Sequence, residues 1–529
     1  MPRNVSAASQ PNPQLIPIAV DVPGSLGLNL QAQNAVQSPK WAIIADNCVV
    51  DQYGRISARK GRTTITTSAA SGQVRTIFEY LNSAGTSTAI VAFDGGISSS
   101  LTSPSGSSLV GTISSVASGR WFFQNFNGKC LGFQSGQKPI VMQSAAGTFS
   151  NIVESSGTAP QGGIGCAAYG RVWGIAADGQ TLQWCALLDE TNWGTGDSGS
   201  IDLRKVWPKG LDTPTAICAF AGNIVVFGTK QILMYGSSSV NTVLGLDVTT
   251  LRIVDAVEGV GCISQWTVAH LGGEKEHSDV LFCSGTGINS LQRLVLASGS
   301  KPIQNLTKNV RDALIAQLSQ ETTSAVTGFY SGSNGFYALS LPNSGYTWII
   351  DLRHRFDDQD GDEVSRITRW PFAHTYLVEF GNRNVYFASS VTGKVMQYMT
   401  GNDDGALFLQ TLQLPWMDLG DDYAAFLKAL KRVGGVFFSR LNTNVTFTWY
   451  VDFSVSGNSQ TGTISSGTNA EYSIAQYSID QYSGGGNLTL LNANASGTGQ
   501  YFSLAVATTS DSTFAVQQLN LLAKRLRLA

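Results

Sequence analysis

The sequence predicts an all-β protein: a β-propeller of about seven blades, with an extended N-terminal arm and a C-terminal β-sandwich-like domain. Three observations lead to this prediction. Hairpin-like units return at a nearly regular interval along the middle of the chain, the composition is rich in glycine and poor in charge, and the last part of the chain alternates with a period of two. The predicted boundaries are 1–40 for the arm, 41–415 for the propeller and 416–529 for the C-terminal domain.

The composition favours a turn-dense β-protein whose surface is built from hydroxyl and amide groups. The chain has 529 residues and 57 glycines, and only 13% of its residues are charged, about half the usual share. Virion and extracellular β-proteins often have this composition. The formal net charge of −2 excludes an overall basic surface for tight nucleic-acid binding. A wall that only guides DNA would also avoid a dense basic lining, because each phosphate contact adds affinity and therefore drag.

The cysteines predict buried, reduced thiols. There are seven, scattered through apolar strand-like contexts and without a C-x-x-C pair, which indicates assembly in a reducing cytoplasm. The N-terminus lacks the hydrophobic core of a secretory signal, and no apolar run approaches the ~20 residues of a membrane span. We therefore expect no membrane span.

The first 40 residues predict an extended arm. Prolines recur along it, and proline fixes φ and removes a backbone donor. Such an arm either lies on a neighbouring subunit or is disordered. The prolines are Pro11, Pro13, Pro17, Pro23 and Pro39.

Residues 39–62 predict a β-hairpin at the start of the folded body. Residues 51–54, Asp-Gln-Tyr-Gly, form a turn cluster between two short strand-like runs. Four basic residues follow the turn, and they are either the solvated face of an edge strand or a docking patch for a partner. They are Arg55, Arg59, Lys60 and Arg62.

From about residue 75, an apolar strand, a Gly/Asp/Ser turn and a second apolar strand recur seven times. The turns lie 41 to 58 residues apart, close to the ~40–50-residue period of propeller blades. A pair of meandering β-sandwiches is the alternative. The turns centre near Gly95, Gly136, Gly179, Thr229, Thr286, Ser344 and Thr392.

Three further stretches interrupt or follow this pattern. Residues 307–320 predict a short amphipathic helix behind a threonine cap, and residues 356–364 predict an acidic loop. Residues 421–433 fit a helix or a strand equally well. Beyond them Phe447, Trp449 and Val451 alternate with polar or amphipathic residues, which is typical of a sandwich strand.

The chain offers several motifs that resemble catalytic or metal sites, and each lacks an essential feature. The GDSG at 196–199 matches the serine segment of chymotrypsin-like proteases, but its histidine counterpart at His270 follows rather than precedes it. The acidic loop lacks the spacing of a calcium loop. The four histidines form no H-x-H or H-E-x-x-H pair.

Propeller glycosidases are the serious enzymatic alternative. They need two carboxylates about 5–10 Å apart, for which Asp351 and Asp418 are candidates, while the Asp-box-like segment at 178–184 has its glycine and tryptophan at the wrong offsets. We therefore assign no catalytic, cofactor-binding or metal-binding residue. The prediction is that the chain is not an enzyme and needs no cofactor.

One N-terminal stretch resembles a known family. The patterns are GLNL (27–30), A-x-x-x-D-N (42–47) and D-x-x-G-R-x-x-x-R-K-G (51–61). Together, over about 35 residues, they resemble the N-terminal signature of tail hub or nozzle proteins of short-tailed bacteriophages. These are also called packaged-DNA stabilisation or tail tubular B-type proteins.

The resemblance implies a structural virion protein of the phage tail, assembled in the host cytoplasm. It implies a hexameric ring that prolongs the portal–adaptor channel, retains packaged DNA and conducts it during ejection without sequence-specific binding. The implied partners are a head-to-tail adaptor and tail fibres or spikes. The alternatives are a receptor- or glycan-binding propeller on the virion and a propeller glycosidase.

Overall fold

The structure is a computed structural model that divides the chain into two compact units. We call the described residues of Met1–Gly61, Arg366–Arg369 and Thr400–Ala529 the terminal unit, and those of Arg62–Ser365 and Trp370–Met399 the propeller unit. Residues 41–61 and 400–415, which the sequence placed in the propeller, thus fall in the terminal unit. The described residues are 15–33, 35, 37–104, 108–111, 113, 116–145, 147–237, 246–273, 276–296, 305–357, 363–390, 392–419, 425–465 and 487–528.

The first strands of the chain are short. They are β1 Leu15–Asp21, β2 Gly27–Leu28, β3 Trp41–Ala42, β4 Ile44–Asp46, β5 Cys48–Val50, β6 Ile56–Ala58 and β7 Gly61–Thr64. The predicted hairpin is confirmed, because β5 and β6 pair antiparallel with Val50 opposite Ile56.

The propeller unit is built from successive antiparallel strand groups. The first groups are β8 Val74–Leu81, β9 Ser87–Phe93 and β10 Gly96–Ser98; β11 Phe122–Phe126, β12 Lys129–Phe133, β13 Ile140–Met142 and β14 Ser150–Asn151; β15 Gly165–Ala168, β16 Arg171–Ile175, β17 Thr181–Trp184 and β18 Gly199–Asp202; β19 Pro214–Phe220, β20 Asn223–Gly228, β21 Gln231–Ser237 and β22 Leu251–Glu258.

The later groups follow the same order. They are β23 Ala269–Gly273, β24 Glu276–Ser284 and β25 Gly287–Ser290; β26 Thr327–Ser331, β27 Phe336–Leu341, β28 Tyr346–Asp357 and β29 Glu363–Trp370; β30 His374–Glu379, β31 Val385–Ser389 and β32 Val395–Met399. Each hairpin predicted from the sequence forms the second and third strands of one group, because apolar alternation and Gly/Asp turns are local signals.

The helices are few and short. The predicted helix at 307–320 forms as a 3-10 turn followed by α2, and Leu314 on it is buried. The predicted cap by Thr307 does not form, because the Thr307 hydroxyl donates to the Asn305 side chain instead. The acidic stretch 358–362 lies outside the described residues. The helices are α1 Leu291–Leu296 and α2 Arg311–Leu318, with 3-10 turns at Leu203–Lys205, Val248–Thr250, Gln265–Thr267, Lys308–Val310 and Thr323–Ala325.

The strand groups close into a ring, which confirms a propeller and excludes the meandering sandwich. The first strands of successive groups contact one another in the order β8, β11, β15, β19, β23, β26 and β30, with the 3-10 turn Gln265–Thr267 joining β19 to the next groups. Strand β30 then contacts β8. Radial closure of this kind leaves few exposed strand edges.

The propeller has six blades that are separate sheets, whereas the sequence repeats predict about seven. Six of the groups end as sheets of three or four strands. The group β26–β28 does not, because its sheet runs on into further strands.

The last sheet of the ring is completed by the N-terminal part of the chain. Its strand order is β30–β31–β32–β7. Ile65 N donates to Val395 O at 3.1 Å, and Val395 N donates to the Thr66 hydroxyl at 2.7 Å. Hydrogen bonds between residues more than 300 positions apart therefore join the first and last parts of the ring.

Neighbouring sheets of the propeller bury apolar side chains between them. In one such cluster the ring centres of Trp173 and Trp184 lie 5.3 Å apart. In the next cluster the ring centres of Phe227 and Phe282 lie 4.9 Å apart. The aromatic residues of this chain are thus explained largely by packing between blades.

The terminal unit contains two facing sheets, as predicted for the C-terminal domain. One has the order β5–β6–β40–β34–β37, and the other includes β4–β33–β39–β35–β36. Phe437 on β34 lies 5.7 Å from Phe447 on β35, between the sheets. The strands are β33 Phe408–Gln413, β34 Phe426–Ser439, β35 Thr443–Val451, β36 Asn458–Ile464, β37 Asn487–Asn494, β38 Thr498–Gly499, β39 Phe502–Ser510 and β40 Ala515–Leu528.

Two expectations about the ends of the chain are resolved by this sheet. The stretch that fitted helix or strand is a strand from Phe426 onward. The described part of the N-terminal arm is not loose, since β1 pairs with β40 along its whole length, from Leu15 opposite Lys524 to Asp21 opposite Gln518.

Candidate functional site

The predicted docking patch is divided by the structure, and Arg55 is held by its own turn. Its guanidinium pairs with the Asp51 carboxylate at 2.8 Å, and its side chain is 15% exposed. Asp51 also accepts hydrogen bonds from the backbone N–H groups of Tyr53 and Arg55, both at 2.9 Å. Arg55 therefore stabilises the hairpin turn and keeps only part of its charge accessible.

The sequence predicts a surface position for Arg59, but the structure buries this residue. Its side chain is 1% exposed. The guanidinium donates to Asn47 Oδ1 at 2.7 Å and to both carboxylate oxygens of Asp403, at 2.8 and 2.6 Å, and it lies 4.1 Å from the Phe408 ring centre. A buried cation with this many partners holds the unit together and does not present charge to another molecule.

The other two basic residues lie in different units. Lys60 is exposed in the terminal unit. Arg62 begins the propeller unit, where its guanidinium lies 3.7 Å from the ring centre of Phe372. Of the four predicted residues, Lys60 is thus the one that is exposed.

Asn47, in the Asp-Asn pair at 46–47, has a structural role in the terminal unit. Its φ is +55°, a left-handed conformation that asparagine tolerates better than most residues. Its side chain accepts from Arg59 and donates to the Leu409 carbonyl at 2.7 Å. The residue before it, Asp46, forms an ion pair with Arg369 at 2.8 Å.

The glycines of the signature are required by close backbone contacts in the same unit. A Cβ on Gly61 would lie 2.0 Å from the Asn402 carbonyl oxygen, and one on Gly27 would lie 2.5 Å from the Ile367 nitrogen. Gly27 also has a φ of +81°. The signature residues are therefore demanded by the architecture of the terminal unit.

The centre of the propeller ring is spanned by Arg120, which precedes β11. Its guanidinium donates to the carbonyls of Ala325 at 2.7 Å and Val326 at 3.2 Å, just before β26, and of Thr375 at 2.7 Å on β30. Strand β11 lies two places from β30 and three from β26 around the ring, so the side chain crosses the central space.

Aromatic rings surround this arginine. Trp266 lies 5.4 Å from the guanidinium, and its ring centre is 5.6 Å from Phe122 and 6.2 Å from Tyr376. Burial lowers the pKa of Arg120 to about 10, against the opposing influence of Tyr376, so the guanidinium stays charged at neutral pH. Burial also raises the pKa of Tyr376 to about 12.

The residues considered for catalysis have other partners. Both carboxylate oxygens of Asp351 accept from Arg353, at 3.0 and 3.1 Å, and Asp418 belongs to the terminal unit. In the GDSG segment the Ser198 hydroxyl donates to the Thr195 carbonyl at 2.8 Å, and Asp197 forms an ion pair with Arg171. Among the described residues, no three His, Cys, Asp or Glu side chains cluster as metal ligands.

All seven cysteines are free and buried, as predicted. Burial raises the pKa of Cys48, Cys166 and Cys185 to about 12 and that of Cys262 to about 11. Thiols in this state are poor nucleophiles. Among the helices that the structure describes, none is long and apolar enough to span a membrane.

No family model matches this sequence, and no curated protein does. A solved structure titled "Glycoside hydrolase" is similar over 76% of this chain and 96% of its own length, with 9% identity and a TM-score of 0.21. Its title names an enzyme, which contradicts the prediction that this chain is not one, and we withdraw that prediction. At this TM-score the likeness assigns no activity or site residue to the present chain.

Sequence reasoning missed Arg120 and Asp403. The partners of Arg120 are main-chain carbonyls, which carry no sequence signal, and its one local cue is a cation between a glycine and the aromatic run at 121–123. Asp403 lies 344 positions from Arg59, and only the folded chain brings the two together.

Proposed function

We propose that this chain is a structural subunit of the tail of a short-tailed bacteriophage, the hub or nozzle that continues the portal–adaptor channel. The observation that carries the proposal is the convergence of the three signature patterns in the terminal unit. Gly27 and Gly61 lie where a Cβ would meet backbone atoms, and Arg59 binds both Asn47 and Asp403 there. The resemblance therefore lies in residues that determine architecture, which are hard to match by chance.

In this proposal the DNA path runs along the axis of a ring of copies. The axis of a single propeller is unsuited to it, because the Arg120 side chain and its aromatic neighbours occupy that space. A DNA duplex is far wider than the reach of one arginine. A ring of six copies, the number that the family resemblance implies, supplies the channel instead.

The electrostatics support a conduit. A net charge of −2 and a 13% share of charged residues leave few sites where passing phosphates would be held. Each neutralised phosphate adds salt-dependent affinity, so a sparsely charged wall lets DNA slide. Lys60, and in part Arg55, remain as the proposed contacts with the head-to-tail adaptor.

The test is assembly with the adaptor. The purified chain is mixed with the portal–adaptor complex of the same phage and analysed by size-exclusion chromatography with light scattering. We expect six copies to join the complex, and Lys60→Glu to weaken the joining. A chain that stays monomeric alone and with the adaptor would refute the proposal.

A glycan array separates this function from that of a receptor-binding propeller. A tail hub is expected to show no saccharide preference. Selective binding to one class of glycan would favour the receptor-binding role instead.

A further inference from the structure

We infer that copies of this chain join head to tail through the terminal unit, with a hairpin tip of one copy seated in a groove of the next. This inference rests on the proposed function, which requires a ring of copies. The tip is residues 452–457, between β35 and β36. The groove lies at the opposite ends of the strands β33, β35 and β39.

The tip exposes two apolar side chains. Val455 is 97% exposed and Phe453 is 52% exposed. One side of the Phe453 ring contacts Trp416 and Tyr501, with ring centres 4.9 and 5.1 Å away. The ring is thus positioned from behind while its outer part faces solvent. Aromatic side chains held in this way are typical anchors of protein interfaces.

The tip is held in an unusual backbone conformation. Asp452 and Phe453 both have left-handed φ angles, +45° and +61°, which a bulky aromatic residue rarely adopts. The Asp452 carboxylate fixes this turn by accepting from the backbone N–H groups of Gln500 at 2.7 Å and Tyr501 at 2.9 Å. Strain that the surroundings maintain is characteristic of functional positions, and here it presents Phe453 outward.

The groove has a volume of about 520 Å³. Leu407 and Leu409 are 45% and 56% exposed, so two large apolar side chains of this region lack cover in the single chain. Ala507 and seven threonine and asparagine side chains form the rest of the lining.

Tip and groove lie at opposite ends of one strand. The groove includes Thr443 at the start of β35, and the tip follows Val451 at its end. At ~3.3 Å per residue, the two are roughly 30 Å apart. One copy therefore cannot fill its own groove with its own tip. A contact between two different surfaces of the same chain is head-to-tail, and it generates a ring when the rotation closes.

A second copy of the chain is the occupant that the chemistry favours. The groove lining contains no ionisable side chain, and Asp452, the one acid of the tip, is already bound to the chain's own backbone. Joining the two surfaces buries apolar groups and leaves no charge unpaired. A partner selected by charge would find nothing to bind in this groove.

Charge substitutions test the contact. Val455→Asp and Leu409→Lys each place a charge in the proposed contact, and each is expected to raise the apparent Kd of self-association at least about tenfold. The double variant V455D/L409K brings opposite charges together across the contact and is expected to recover most of the affinity. Val153→Asp is the matched control, because Val153 is 81% exposed in the propeller unit.

Cysteine cross-linking tests the direction of the contact. When V455C copies are mixed with L409C copies under oxidation, we expect a disulfide-linked dimer that neither variant forms alone. Circular dichroism confirms that each variant is folded. Self-association that both charge variants leave unchanged, or a dimer of V455C alone, would overturn the inference and leave the proposed function standing. A wild-type chain that never self-associates would overturn both.

Discussion

Arg59 and Asp403 form a two-pronged ion pair, NH1 to Oδ1 at 2.8 Å and NH2 to Oδ2 at 2.6 Å, between residues 344 positions apart. The same guanidinium binds Asn47, so the N-terminal signature is joined to the C-terminal part of the terminal unit. Arg59, which the sequence offers as part of a basic docking patch, thus connects two distant parts of the terminal unit.

Arg59→Ala should destabilise the terminal unit strongly. Removing one partner of a buried pair leaves the other charge uncompensated, at a cost of about 3–5 kcal/mol. Urea denaturation should show an earlier unfolding midpoint. Lys431→Ala, at an exposed residue of the same unit, is the control and should change stability by less than about 0.5 kcal/mol. Equal midpoints for the two variants would contradict the structural role of Arg59.

Gly61→Ala should be destabilising for a purely steric reason. The new Cβ would lie 2.0 Å from the Asn402 carbonyl oxygen, and backbone shifts of this kind cost about 1–3 kcal/mol. Gly285→Ala is the matched control, because a Cβ there meets nothing within 4 Å. Thermal unfolding of both variants measures the difference, and a Gly61→Ala protein as stable as Gly285→Ala would refute the close contact.

Arg120→Met should loosen the centre of the propeller. The variant keeps the apolar stem but leaves three carbonyls without their charged donor, and we expect a loss of about 3 kcal/mol. Hydrogen exchange should increase in the strands β26 and β30 that supply or follow those carbonyls. Arg204→Met, at a residue 51% exposed, should have almost no effect. Unchanged exchange in Arg120→Met would argue against a spanning side chain.

The seven thiols should be inert in the folded protein. Each is buried, and burial raises the pKa of Cys48 to about 12, so the reactive thiolate is scarce at pH 8. A thiol reagent should modify none of the seven before unfolding and all of them in denaturant. Rapid modification of a native thiol would show that it is accessible. This inertness also makes an added surface cysteine selectively reactive.

The stability of the propeller should fall in acid partly through Asp197. The hydrogen bond from Arg171 lowers the pKa of this carboxyl, with burial opposing it. A lowered folded pKa contributes stability that is present above the ordinary value of about 3.9 and is lost as the pH falls through the folded value. The melting-temperature difference between wild type and Asp197→Asn should therefore be largest near pH 6 and shrink below about pH 3.5. A constant difference would contradict it.

The sequence predicts local features of the fold well and long-range ones poorly. The hairpin at Asn223–Ser237 is encoded by adjacent apolar runs and a short turn, and it forms as expected. The pairing of Leu15 with Lys524 is not encoded locally, so the sequence predicts only an extended arm that lies on a neighbouring subunit or is disordered. The blade count was overestimated because a repeat in sequence does not show where a sheet ends.

The same contrast between local and long-range sequence information explains which residues of the candidate site could be predicted. Basic residues after a turn predict a charged surface, and Lys60 is indeed exposed. Burial of Arg59 depends on Asp403, whose identity as a partner is visible only after folding. The cluster at Arg120 depends on backbone carbonyls, which every residue possesses.

Cryo-electron microscopy of the chain bound to the portal–adaptor complex tests the proposed assembly. We expect a closed ring of six copies, with the DNA path on the ring axis and Arg120 spanning the centre of each propeller. Single copies bound without a ring, or DNA density passing through a propeller, would contradict it.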